Sequence, residues 1–390
     1  MADDPHAHDW RQGGFGLYIH WPFCEAKCPY CDFNSHVTRK IDQRAWRDAY
    51  LIELARVAQE TEGRILNAVF FGGGTPSLMD PDVVADVIAA IKDHWPTANA
   101  LEITLEANPS SVEAGRFAGF RQAGISRVSM GIQALNDRDL KRLGRIHTVS
   151  EALAAFDIAR NHFDRVSFDL IYGRQDQTLS EWEEELKTAL NMAIDHISLY
   201  QLTIEGGTAF GDRYARGGLL GLPDDNLGAD MYTATQTICT ELGFPAYEVS
   251  NHARDGAQSV HNLIYWRYGD YIGIGPGAHG RLTLNATKWA TEAYSNPARW
   301  LEAVKDNQSE KPRLRLTAQD QATEFLLMGL RLREGISMSR YAKIAGIPFE
   351  ESKLDHLRNI EMIETCGDRL TVTDNGFILL NAVIESLLAD

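Results

Sequence analysis

At 390 residues, 44% hydrophobic and 24% charged, the chain is too long for one ordinary compact domain and too apolar for a disordered one. Its formal charge of −16 works against a nucleic-acid backbone or an anionic membrane as principal partner, because both demand a basic face, and no apolar run reaches bilayer-spanning length. The polar N-terminus MADDPHAHDWRQGG lacks the apolar core of a signal peptide, so a cytoplasmic protein is expected, in which five cysteines do not build a disulfide framework.

In chain order, residues 1–14 read as a polar tail. From 15 to 210, short β-branched runs alternate with amphipathic stretches, which predicts strands at 15–20, 67–71, 101–106, 127–132, 165–171 and 196–202 with crossover helices between them. Trp46, Tyr50, Leu54 and Val57 form one helical stripe. The next helix takes Asp80 as N-cap and Pro81 as its first residue, and buries Val84, Val87, Ile88 and Ile91. A third opens on a capping box from Ser110 to Glu113 and stops at Gly124.

Six β/α units fit either a doubly wound sheet or a partial (β/α)6 barrel of the TIM type. Polar groups gather at strand ends: the cysteines after strand one, Gly72 to Thr75 after strand two, Glu106 ending strand three, Gln133 following strand four, Asp169 late in strand five. A barrel delivers them all to one mouth, which favours it. Residues 211–314 read as an extension of the barrel, with a helix at 226–242, a strand containing Tyr247, the segment HNLIYW and a glycine-rich loop. Residues 315–390, with a helix at 322–332, a strand at 369–372 and a last helix, read as a winged-helix-like α+β domain. Cys239 and Cys366 stand alone and are expected to be buried thiols.

Three of the cysteines, Cys24, Cys28 and Cys31, fall within eight residues. Three thiolates can hold a [4Fe–4S] cluster and leave one iron open. A zinc site is the competing reading, but zinc normally takes four protein ligands or a water-bearing catalytic set, and Asp32 and Phe33 supply no further thiol. An open iron can chelate the amino and carboxylate groups of S-adenosylmethionine (SAM), and an electron passed to the sulfonium can break a carbon–sulfur bond to give a 5′-deoxyadenosyl radical. The spacing C-x3-C-x2-C, with an aromatic residue before the third cysteine (here Tyr30), resembles that of the radical SAM superfamily. The segment GPGAHG, Gly275 to Gly280, also satisfies a dinucleotide pattern, but it runs into the strand-like Arg281-Leu-Thr-Leu-Asn instead of opening a helix, which rules out nicotinamide binding.

YIHWPFCEAKCPYCDFNSH, FGGGTPS, LEANPSS, RVSMGIQ, GRIHT, FDLIYG, HNLIYW and IGIGPGAHG together resemble the oxygen-independent coproporphyrinogen III oxidase family over nearly the whole chain, and within it the heme-chaperone branch. The resemblance implies a SAM site lined by Tyr18, Tyr30, Gly73, Gly74, Thr75, Glu106, Gln133, Arg145 and Asp169. The residues suit that role, although Glu106 and Arg145 could equally be a plain ion pair and Gln133 a strand-end cap. The decarboxylating oxidases carry a further cysteine two positions after the motif, where this chain has Phe33, and a longer N-terminal extension, where only fourteen residues precede Phe15. Both departures count against decarboxylation. The resemblance also implies His261 as a ligand of heme, and as partners a heme-acceptor protein and an electron donor for the cluster; His279, which the glycine loop could expose to a porphyrin, is the competitor. The alternatives are the oxidase itself and a DNA-binding regulator acting through the C-terminal domain, which the charge disfavours.

Overall fold

The computed structural model of the chain describes residues 8–38 and 40–388, so the first half of the expected N-terminal tail lies outside the described residues. The six expected strands all form: β1 (Phe15–Trp21), β2 (Leu66–Gly73), β3 (Thr97–Ala107), β4 (Arg127–Gln133), β5 (Arg165–Tyr172) and β6 (His196–Gln201). They lie side by side in chain order and all run parallel, as right-handed β/α crossovers require. One face of each strand carries large apolar residues, such as Leu17 and Ile19, Val69 and Phe71, Ile103 and Leu105, and these are buried in the main core beneath the helices. The other face turns inward. There the register aligns Tyr18 with Phe70 and Phe70 with Thr104, and sets Glu106 level with Ser129 and Ser129 level with Ser167.

The sheet does not stop at six strands. Asn251–Ala253 (β7) adds antiparallel to β6, while Asp270–Ile274 (β8) adds parallel to β1 at the other edge. His279–Leu284 (β9), Thr287–Glu292 (β10) and Leu314–Arg315 (β11) then continue that edge antiparallel, giving an open mixed sheet of eleven strands. The GPGAHG loop does lead into a strand, β9. Tyr247, expected within a strand, instead lies on a bend before β7. Its hydroxyl is drawn to His196 Nε2 at 3.0 Å and Asn262 Nδ2 at 3.1 Å, and Asn251–Ala253 takes the edge position.

Helix signals are partly overridden by tertiary contacts. The stripe from Trp46 to Val57 is buried in the Gln43–Glu60 helix, and Pro81–His94 begins where its proline predicts. The capping box at Ser110 is only half made: Ser110 Oγ accepts from Glu113 N at 3.3 Å, but the Glu113 carboxylate is taken by Asn108 N and the Ser77 hydroxyl. The helical stretch accordingly breaks into Ser111–Ala114 and Phe117–Ala123, and ends at Gly124 in the left-handed conformation.

HNLIYW forms the Val260–Trp266 helix, which packs against the inner ends of β1, β2 and β8. Its start is fixed by a barrel carboxylate. Glu102 Oε1 accepts from Val260 N at 3.0 Å, while Oε2 accepts from Arg127 at 3.2 Å and Arg165 at 3.1 Å. Removing one member of such a buried set costs about 3–5 kcal/mol.

The C-terminal region has its own core around Phe325, Leu326, Leu354, Leu370 and Ile384. Its helices Ala318–Gly329, Met338–Ala345 and Glu351–Asn359 are followed by the antiparallel hairpin Ile363–Cys366 and Arg369–Val372, the order expected of a winged-helix-like unit. Ion pairs of Arg281 with Glu324 and Arg267 with Glu334, both at 2.7 Å, tie it to the barrel. Cys239 is buried as expected. Cys366 is not: it sits on the edge strand of the hairpin and faces solvent. Among the described residues, no helix is long and apolar enough to cross a membrane.

Candidate functional site

At the carboxyl ends of the parallel strands lies a cavity of about 160 Å³. Its wall contains all three clustered cysteines together with Tyr30, Gly73, Gly74, Thr75, Glu106, Gln133, Arg145 and Asp169. They come from the loop after β1, from the strands β2, β3, β4 and β5 at or just past their ends, and, for Arg145, from the turn between the Asp137–Arg142 and Val149–His162 helices, so the sheet assembles most of the group. Two predicted residues stand elsewhere. Tyr18 faces inward beside the cavity with its hydroxyl 3.0 Å from His20 Nδ1, and His261 sits below it on the Val260–Trp266 helix.

The cysteine loop is braced by backbone and by two glycines. Gly74 N donates to Trp21 O at 2.6 Å and Thr75 N to Phe23 O at 2.8 Å, docking the β2 end against the start of the loop. A Cβ on Gly73, whose φ is +113°, would come within 2.6 Å of the His20 ring, and one on Gly74 within 2.6 Å of Phe23 O. Only glycine allows this approach. On its far side the loop is held by Asn34. Its Nδ2 donates to Pro276 O and Ser295 O, both at 2.8 Å, and its carbonyl accepts from His20 Nε2 at 2.9 Å. Gly277 has a φ of +74°, and a Cβ there would meet Asn34 Nδ2 at 2.7 Å. GPGAHG is therefore the receptor for the cysteine loop.

The two carboxylates of the wall are electrostatically strained. Burial first, and Asp169 second, push Glu106 up to about 8, against the relief it takes from Gly73 N at 3.2 Å. Burial likewise pushes Asp169 up to about 6, although the hydroxyls of Ser198 and Ser129 pull it down. Arg145 is not paired with Glu106. Its Nη1 donates to Cys28 Sγ at 3.3 Å, and its Nη2 to Asn108 Oδ1 at 2.6 Å and Gly131 O at 2.8 Å. Nor is Gln133 a relaxed cap: its φ is +74°, a conformation L side chains seldom adopt, and strain of that kind persists where a site uses it.

The cavity residues fit a [4Fe–4S] cluster with SAM. All three thiols are free. Gln133 Oε1 and Arg145 Nε are buried at the cavity without hydrogen-bond partners. Buried orphans of this kind ask for a polar ligand.

His261 is a buried ring between aromatic neighbours. Tyr265 meets it edge-on at 4.5 Å, and burial, helped by the charge of Arg127, pushes its pKa down to about 3. The competing His279 is exposed at the start of β9. Asn108, two positions beyond Glu106 in LEANPSS, and Ser35, four beyond Cys31 in CDFNSH, are cavity residues with no individual signal in the sequence. Their position just past recognised strand-end and cysteine motifs is the only mark they carry.

Comparison with known proteins covers both regions. The radical SAM superfamily profile matches residues 18–189 and the HemN C-terminal domain profile residues 316–379. The heme chaperone HemW of Escherichia coli is 36% identical over 384 residues, spanning 96% of this chain and 98% of its own. HemW of Mycobacterium tuberculosis is 34% identical over 96% of this chain and 95% of its own. The mitochondrial radical S-adenosyl methionine domain-containing protein 1 of Bos taurus is 41% identical over 82% of this chain and 74% of its own. Among solved structures, coproporphyrinogen III oxidase (HemN) from Escherichia coli superposes with a TM-score of 0.79, covering 99% of this chain and 93% of that one, at 20% identity. That last likeness is one of fold.

Proposed function

The chain belongs to the HemW family of radical SAM proteins, and from that membership we propose that it is a heme chaperone, binding heme and passing it to an acceptor protein. The observation that carries the reading is the near-end-to-end similarity to proteins named heme chaperones, through the barrel and the C-terminal domain alike. Phe33 adds to it. Where the oxidases carry a further cysteine, this chain presents an exposed aromatic ring at the cavity wall.

In this reading Cys24, Cys28 and Cys31 hold a [4Fe–4S] cluster. When bound, the cluster and SAM supply one-electron reductive cleavage of a carbon–sulfur bond. The chain's own residues do the rest. Glu106 stays protonated while the cavity is empty and gives up its proton when a cation faces it. Asp169, eased by Ser129 and Ser198, ionises sooner and orients hydroxyl donors. The bare backbone at Gly73 and Gly74 admits a close ligand, and Arg145 Nε and Gln133 Oε1 offer one unused donor and one unused acceptor. His261 is held neutral, which leaves its nitrogen lone pair available to a metal.

The acceptor protein and the electron donor are further partners of this reading, and its free thiols suit a reducing compartment such as the cytoplasm. The test against the oxidase is direct. With cluster, SAM and reductant supplied anaerobically, coproporphyrinogen III should not be decarboxylated above background, and sustained conversion would replace the chaperone by the enzyme.

A further inference from the structure

The hydrogen bonds around the cysteine loop converge on sulfur. Arg145 Nη1 donates directly to Cys28 Sγ at 3.3 Å. Its other terminal nitrogen donates to Asn108 Oδ1 at 2.6 Å, and Asn108 Nδ2 in turn donates to Thr75 Oγ1 at 3.1 Å. With its oxygen occupied as an acceptor, Thr75 turns its hydrogen to Cys24, against which its hydroxyl lies. Beside the Tyr30 hydroxyl at Cys28 and the Phe33 backbone at Cys31, one further sulfur neighbour is Ser35. It is 7% exposed, and its hydroxyl lies against both Cys24 and Cys31.

A buried hydroxyl left without a partner costs about 1–3 kcal/mol, so one set between two thiols needs a good acceptor. Reduced cluster sulfur is one, since its negative charge grows when the electron arrives. We infer that Arg145, Asn108, Thr75 and Ser35 form a relay that sets the reduction potential of the cluster, with Asn108 as a positioning residue acting through Arg145 and Thr75, and Ser35 facing sulfur directly, both outside the SAM-binding set. This rests on the radical SAM reading. Donors and a cation aimed at the sulfurs stabilise the reduced, more negative state, so the relay raises the potential and makes the single electron easier to accept from a donor such as dithionite.

The experiment is a dithionite titration of the reconstituted full-length protein without SAM, followed by the EPR signal of the reduced cluster. Ser35→Ala and Asn108→Leu, at full iron content, should each move the midpoint to more negative potential. Ser35→Thr and Thr75→Ser, which keep the hydroxyls, should hold it close to that of the unaltered protein, while Thr75→Val should lower it. Unchanged midpoints in Ser35→Ala and Asn108→Leu would overturn the relay and leave the radical SAM reading intact. Failure of the unaltered protein to form any cluster would overturn both. If Ser35→Ala does not assemble a cluster, the comparison of Thr75→Val with Thr75→Ser decides.

Discussion

The imidazole of His261 lies face to face with the ring of Phe70, centroids 4.3 Å apart and planes 19° from parallel, inside the barrel and not on its surface. A histidine so placed is a different ligand from an exposed one. Its depressed pKa, about 3, keeps it neutral throughout the working range, so protons do not compete with iron for its nitrogen. Heme affinity should therefore stay level between pH 8 and about 5.5, and His261→Ala should lower it while His279→Ala does not. A decline of about tenfold per pH unit, setting in at the ordinary imidazole range, would place ligation on a solvent-exposed ring instead.

SAM binding should depend on pH with the opposite character. Glu106, at about 8, is mostly protonated at neutral pH, and its neutral form has little to offer a cation. Binding then releases a proton, so affinity rises with pH and levels off above about 8. Asp169 adds a second, lower inflection near 6. Isothermal titration in two buffers of different ionisation enthalpy should detect the released proton at pH 7, and Glu106→Gln should both weaken binding and flatten the profile. An affinity independent of pH between 6 and 8 would contradict the assignment.

The clamp on the cysteine loop gives a mechanical prediction. Gly277→Ala introduces a Cβ against Asn34 Nδ2 at a φ of +74°, whereas Gly256→Ala meets nothing within 4 Å at the same φ. Both should lose about 1–3 kcal/mol of stability from backbone strain. Only Gly277→Ala, and with it Asn34→Ala, should release iron to a chelator several-fold faster. Equal rates in the two glycine variants would show that GPGAHG does not hold the loop.

Ligation of the cluster itself predicts a sharp contrast. Alanine at Cys24, Cys28 or Cys31 should abolish iron–sulfur absorbance after anaerobic reconstitution. Alanine at Cys239, buried in its helix, or at the exposed Cys366 should leave it unchanged. Cluster retained in all three of the first variants would remove the basis of the site.

Much of this architecture was legible from period and chemistry. Six strands could be read from β-branched runs, and the inward-facing Glu106 and Asp169 stood out because a charged residue near the end of an apolar strand has to be accounted for. What escaped was set by contacts distant in sequence. Ser35 and Asn108 look like ordinary turn residues until the loop after β1 and the end of β3 are brought to one cavity. Asn34 and Pro276 are 242 positions apart, so nothing local marks GPGAHG as a clamp. The capping box at Ser110 failed because Ser77 and Asn108 N compete for the Glu113 carboxylate, and Tyr247 left the expected strand because its hydroxyl found His196. Local propensity gave way to tertiary hydrogen bonds in each case.

The central claim is that this chain carries heme. The measurement that bears on it most directly is an anaerobic heme titration of the cluster-loaded protein, followed by the Soret band and then by transfer of that band to an excess of an apo-hemoprotein. The account predicts saturable, stoichiometric binding that His261→Ala weakens or shifts spectrally, and transfer to the acceptor faster than free heme dissociates from the chaperone. Absence of saturable binding by a protein with an intact cluster would contradict it.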